Sequence, residues 1–398
     1  MALETSPVVS SRLRWVYLII TTAAHTLTHS FVNTHLALVP VLKDELKLST
    51  EVVSLMVAIP LLTQALAGFP FGMLSDRVRH SRLIALSLLF AGVGGILVTQ
   101  SQTPLTLIAS FSILSLSLAS FHPPAYSIIS EIFGSKHRSV ALGIHGAGGT
   151  LGMAIGPISV GLVMHFFGES NWRMSYLVWA FPALVCCVLV LILRPKATDP
   201  KPAEKGQTLG EPASIRSIFT PTYILFLLML SIHGFGGNSV STYMTTYLKE
   251  AHGMPVDLAS ILFGSMPLMG IIAAPVGGII ADRRGEKYGL TLAYLGQAVM
   301  LLGIALSPNL SAIIPFVLMN GLVSYVGMAP ASSYVARFTP RGRRGVGYAL
   351  YFLPLNLVSS FAPVITAFIV QLWGIWYIFP FAIIFYLVSF GILRMLPK

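Results

Sequence analysis

The chain has 398 residues, 55% of them hydrophobic and only 10% charged, with a mean hydropathy of +0.79. A soluble domain carries roughly 25% charged residues, so this composition excludes a soluble fold and places the chain in a bilayer. Lys and Arg outnumber Asp and Glu 25 to 14, but the basic residues sit between apolar runs. That distribution is a topology signal, and no nucleic-acid partner is expected.

Met1 to Ser11 is short and polar, and the apolar run behind it is too long for a cleavable signal peptide. The apolar runs are about 20 residues or longer, which is helix length rather than strand length. Twelve spans are expected, at 15–40, 51–74, 82–101, 104–131, 139–166, 172–193, 218–248, 257–280, 288–307, 310–336, 343–371 and 373–395. The fold class is therefore an all-α membrane protein with twelve transmembrane helices. Arg77, Arg79, Arg138, Lys196, Lys205, Arg283, Arg284, Lys287, Arg341 and Arg344 fall between spans or at a span end on the side of the termini. Only Lys43, Lys47, Arg173 and Lys249 fall on the other side. Both termini are then cytoplasmic, and the chain resides in the cell membrane. Cys186 and Cys187 are neighbours on one helix and point apart, so they are read as packing residues rather than a disulfide.

The chain is a duplication. Gly72-Met-Leu-Ser-Asp76-Arg77 closes span 2, and Gly278-Ile-Ile-Ala-Asp282-Arg283 closes span 8, 206 residues later. The same offset takes Lys43 to Lys249, Pro124 to Pro330, Arg138 to Arg344 and Pro157 to Pro363. Residues 1–194 and 217–398 then form two related six-helix units, joined by a Pro- and Lys-rich linker at 195–216. Gly72 and Gly278 are expected to let neighbouring helices approach closely. Asp76 and Asp282, with Arg77 and Arg283, are expected to latch one half against the other in one conformational state.

These paired Gly-x-x-x-Asp-Arg loops resemble the cytoplasmic signature of the major facilitator superfamily. The resemblance covers nearly the whole chain. It implies two six-helix bundles around a central cavity, working by alternating access, with a monomer as the family default. Span 5 carries Gly148-Gly149-Thr150-Leu151-Gly152-Met153-Ala154-Ile155-Gly156-Pro157. Its small residues make a groove for tight helix contact, and Pro157 bends the helix. The run around Gly152, Gly156 and Pro157 resembles the antiporter motif of drug-exporting members, which packs span 5 against a partner. Phe121-His122-Pro123-Pro124 in span 4 resembles an element of the fosmidomycin-resistance branch.

Between its helix ends the chain carries histidines rather than carboxylates or basic side chains. Polar titratable groups at that depth usually face a cavity or a ligand. His25, His29 and Asn33 are spaced four apart, which places them on one face of span 1. His122, His145 and His233 lie in spans 4, 5 and 7, and Asn238, Tyr351 and Asn356 add neutral polar groups. All are candidates for substrate binding or proton coupling, since imidazole changes charge near physiological pH. His25 and His29 could hold a transition metal, but no carboxylate or thiolate joins them at that depth, so no metal site is expected. Glu131 and Arg337, partners in the repeat, are candidates for a gate ion pair, with solvated helix ends as the plainer reading.

With no Gly-x-x-x-x-Gly-Lys-Ser/Thr loop and no nucleophile–base set, the chain reads as a secondary transporter rather than an enzyme, with no cofactor. The leading expectation is a proton-coupled exporter of a small amphiphilic or anionic compound. The alternatives are an importer or facilitator of a small organic anion, and a non-transporting receptor or scaffold that keeps the fold.

Overall fold

The computed structural model describes residues 11–31, 33–75, 77–133, 135–193, 219–338 and 344–397. Among these residues every regular element is a helix. Span 1 begins with Ser11–His29 and continues as two short helices, Thr34–Ala37 and Val39–Glu45. Spans 2 to 6 are Thr50–Ser75, His80–Gln100, Pro104–Ile132, Ser135–Phe167 and Met174–Ile192. Spans 7 to 9 are Pro221–His252, Val256–Arg284 and Glu286–Leu306. Span 10 is split into Leu310–Val326 and Met328–Phe338, span 11 into Arg344–Ser359 and Ala362–Trp373, and span 12 is Ile378–Met395.

Eleven helical stretches among the described residues are long and apolar enough to cross a membrane. Span 1 is not among them. Its histidines, threonines and the break after His29 leave no continuous apolar window. The break corrects the sequence reading of an unbroken helix. Asn33 precedes the short helix Thr34–Ala37 as its N-cap residue, so the His25–His29 face does not run on to it. The Ser30 carbonyl takes a hydrogen bond from Thr34 Oγ1 at 2.5 Å. Elsewhere helix starts follow side-chain chemistry: Thr103, Thr220 and Asn309 each accept from the backbone N–H three residues on.

Packing repeats as the sequence does. Span 2 lies on span 4, span 3 on spans 4 and 6, and span 1 on span 5. In the second half span 8 lies on span 10, span 9 on spans 10 and 12, and span 7 on span 11. The halves meet along span 5 with span 8, and along span 2 with span 11. A twofold relation exchanges these two seams, as a duplicated chain requires.

The end of the molecule away from the termini is closed by polar contacts between the halves. Lys43 Nζ meets Glu250 Oε1 at 2.7 Å, and Lys249 Nζ meets Asp44 Oδ2 at 2.5 Å. Lys43-Asp44 and Lys249-Glu250 are the same dipeptide position in the two repeats, so the bridges are reciprocal. His165 Nδ1 lies 2.8 Å from Asp257 Oδ2, and the Gln371 amide donates to Glu51. Thr245 and Ser260 hydroxyls donate to the Leu36 and Ala37 carbonyls at 3.0 and 3.2 Å.

The lysine bridges are partly exposed, so each contributes about 0.5–1 kcal/mol, enough together to bias two states of similar free energy. Lys43→Glu should therefore open this end more often. In a background with Cys186 and Cys187 replaced by alanine, thiol labelling of Ser260→Cys should speed up roughly 3- to 10-fold. Adding Glu250→Lys should return it to the starting rate; labelling indifferent to both changes would contradict the clasp.

Candidate functional site

The glycine face of span 5 sets the site. Gly148, Gly149, Gly152 and Gly156 lie against span 1, and none has room for a side chain. A Cβ on Gly149 would stand 2.5 Å from His25 Cε1, and one on Gly152 would stand 2.8 Å from His29 Cβ and run into the Thr26 carbonyl. A Cβ on Gly156 would run into the Ser30 carbonyl. Thr26 Oγ1 donates to the Gly148 carbonyl at 2.9 Å across the same contact. The antiporter-like run therefore packs span 5 on span 1 of its own half. Further along, Gly161 meets Asp257 and Ile261 of span 8, and Gly264 of span 8 meets Ala154 and Ile158, which carries the helix across to the other half.

This close approach gathers four histidines. His25 stacks on His145 with ring centroids 4.2 Å apart and meets His29 edge-on at 4.6 Å and His122 at 5.2 Å. His25 Nδ1 lies 2.7 Å from the His145 carbonyl oxygen. A carbonyl only accepts, so Nδ1 carries the proton, and in the neutral ring Nε2 is a bare lone pair. His29 Nε2 and His122 Nε2 are 3.3 Å apart. His25 Nε2, His29 Nδ1, His122 Nδ1 and both ring nitrogens of His145 are buried without a hydrogen-bond partner. Phe121 stacks on His25 at 5.1 Å, and Phe352 of span 11 stacks on His122 at 6.0 Å, nearly parallel. The cluster thus touches the other half through an aromatic ring.

The second half holds a cavity of about 450 Å³, lined by His233, Asn238, Gln297, Asn320, Tyr325 and Asn356 among others. His233 is sandwiched between Tyr294 and Tyr386 at 4.3 and 4.8 Å. The Gln297 amide donates to His233 Nε2 at 3.0 Å and to the Ala293 carbonyl at 3.1 Å. Tyr325 OH reaches Met153 Sδ of span 5 at 3.9 Å.

Of the residues expected from sequence, the structure brings His25, His29, His122 and His145 together, and puts His233, Asn238 and Asn356 on the cavity. Tyr351 packs its ring on Phe352 at 4.7 Å rather than on the cavity wall. Gln297, Tyr294, Tyr386 and Phe352 were not anticipated; a lone glutamine inside the apolar run of span 9 was the available signal. The sequence reading weighed His25 and His29 as metal ligands and expected no metal site; span 4 brings a third imidazole, His122, beside them.

The loop signatures need correction. Among the described residues nothing lies within 4 Å of a Cβ on Gly72, and one on Gly278 meets only Ala329 at 3.8 Å. Neither glycine makes the close approach expected of it. The tight glycine is the neighbour Gly277, whose Cβ would run into the Val326 carbonyl at the split in span 10. Asp76 lies outside the described residues, and Arg77, Asp282 and Arg283 are exposed. Arg337 lies 3.8 Å from Glu286 within its own half, and the Glu131 side chain lies outside the described residues.

Twelve spans in two repeat-related halves, with a polar histidine cluster in the first half and a cavity in the second, define a transporter architecture. The family model of the major facilitator superfamily matches residues 18–326 and 268–398, and the chain belongs to that superfamily. It is accordingly a multi-pass membrane transporter and not an enzyme.

The cis,cis-muconate transport protein of Acinetobacter baylyi is 23% identical over 340 residues, covering 82% of this chain and 81% of that protein. The fosmidomycin resistance protein of Escherichia coli is 22% identical over 278 residues, covering 69% and 67%. In fold, a bacterial homologue of the human lysosomal transporter Spinster, in an inward-facing and unoccupied conformation, superposes with a TM-score of 0.78 at 17% identity over 97% of both chains.

Proposed function

We propose that the chain is a proton-coupled exporter of a small amphiphilic or anionic compound, moving one half against the other around the central seam. The halves are 1–194 and 217–398, the linker 195–216 and both termini face the cytoplasm, the chain works as a monomer in the cell membrane, and the loop signatures latch the cytoplasmic end when it closes. The observation that carries the reading is the histidine cluster. Spans 1, 4 and 5 pool four imidazoles at a depth where these spans offer no carboxylate, lysine or arginine. A proton or an anion at that depth has these groups to meet it.

The 3.3 Å contact between His29 and His122 is a place where one added proton changes both the charge and the hydrogen bonding. Phe352 on His122 hands that change to span 11, whose Leu355 and Asn356 line the cavity. Similarity to a fosmidomycin resistance protein supports export of a compact anion. Similarity to a muconate transport protein supports the same charge class with either direction of travel.

The reading is tested in proteoliposomes with a panel of phosphonates, carboxylates and amphiphilic drugs, with and without an imposed pH gradient. At least one anionic compound should be driven uphill against a proton gradient. Equal rates with and without the gradient would make the protein a facilitator and remove proton coupling.

A further inference from the structure

We propose that His25, His29 and His122 form a binding site for a divalent transition-metal ion of the Zn²⁺ class, with a fourth position left for water or an anion. One ligand nitrogen from each residue lies within 4.8 Å of the others. Tetrahedral zinc with nitrogen at about 2.0–2.1 Å holds neighbouring donors about 3.3 Å apart. His29 Nε2 and His122 Nε2 already stand at 3.3 Å, and any longer separation in the trio closes by at most about 1.5 Å through imidazole rotation.

The tautomer of His25 fits the same chemistry. Metal-bound histidines typically donate their other ring N–H to a backbone carbonyl or carboxylate, which fixes the ring and exposes the ligating lone pair. His25 Nδ1 donates to the His145 carbonyl at 2.7 Å, and its Nε2 is buried with no partner. His29 Nδ1 and His122 Nδ1 are also buried without partners, so each ring has a second nitrogen free to ligate or to donate after rotation.

A set of imidazoles without carboxylates selects Zn²⁺, Co²⁺, Ni²⁺ or Cu²⁺ over Mg²⁺ and Ca²⁺, which need oxygen donors. The same lack of carboxylates leaves the ion's charge uncompensated, which favours an anion in the fourth position. The titratable side chains packed around the trio are His145 and Tyr126, neither of which supplies a negative charge at neutral pH.

The test uses tag-free full-length protein in detergent, without any gradient, so its failure leaves the transport reading standing. Titration with Co²⁺ should give one ion per chain with the strong visible absorption of four-coordinate cobalt, and Zn²⁺ should displace it. His29→Gln and His122→Gln should each weaken binding by about 100-fold, while His233→Gln, in the other half, should bind as wild type. X-ray absorption at the zinc edge of the wild type should show imidazole nitrogens in the first shell. That measurement needs no variant to fold. No saturable binding at micromolar metal, binding retained in both variants, or a first shell without imidazole would each overturn the site.

Discussion

Gly156→Leu is expected to abolish transport, and Gly156→Ala to reduce it at least tenfold, because position 156 has backbone rather than side chain in front of it. A Cβ there meets the Ser30 carbonyl and stands 2.7 Å from Thr34 Oγ1. Side chains yield to crowding by changing rotamer, but a carbonyl yields only if the helix moves. Extra methylenes in a packed core cost about 1–3 kcal/mol even where side chains can adjust, so the helix contact itself gives way here. Displacing span 1 also displaces His29, which already touches Gly152. Gly143→Ala is the control on the same helix: nothing lies within 4 Å of its Cβ, and helix propensity gains about 1 kcal/mol from Gly to Ala. Thermal unfolding in detergent and initial rates in liposomes should separate the two positions. Equal melting and equal rates for Gly156→Ala and Gly143→Ala would show that span 1 does not rest on the glycine face.

The second large effect is expected at the histidine pair. With Nε2 atoms 3.3 Å apart, one of His29 and His122 donates and the other accepts. An added proton turns that contact into two facing donors and breaks it. Protonation is favoured where proton activity is higher, so the disruption belongs to the acidic side of a gradient and the intact contact to the alkaline side. His29→Gln and His122→Gln keep hydrogen-bonding capacity but not the proton. Each should reduce gradient-driven export by about tenfold or more, the size typical of a lost proton-transfer group, while exchange at equal pH survives. Loss of exchange in step with driven export would instead place both residues in substrate binding alone.

Much of this architecture was legible before any coordinates. Hydropathy set the spans, because a bilayer leaves helices as the economical way to satisfy the backbone. The 206-residue offset set the duplication, and spans 1–6 and 7–12 pack in matching patterns. The histidines were legible as a set because charge at membrane depth is costly and their residue type stands out. Their mutual geometry was not legible, since sequence gives helix faces but not which faces meet. Asn33 illustrates the difference: four-residue spacing implies one face only while the helix continues, and it breaks after His29. Gly72 and Gly278 show the converse. A motif glycine was read as a contact glycine, whereas the tight contact falls one residue earlier in the second repeat, at Gly277. The far-end clasp had a signal that went unused. Lys43 and Lys249 were recognised as repeat partners, but the acids beside them, Asp44 and Glu250, complete reciprocal bridges only when a twofold axis is placed between the halves.

In the proposed mechanism, proton movement is tied to substrate movement through the span 1 and span 4 histidines. The most direct measurement is proton flux in proteoliposomes carrying a trapped pH-sensitive dye, recorded when an exported anion from the panel is added at equal pH on both sides. Wild-type protein should move protons opposite to the substrate, and the His29→Gln/His122→Gln protein should move substrate with no proton signal. Substrate flux through the wild type without any proton movement, or an unchanged proton signal in the double variant, would contradict it.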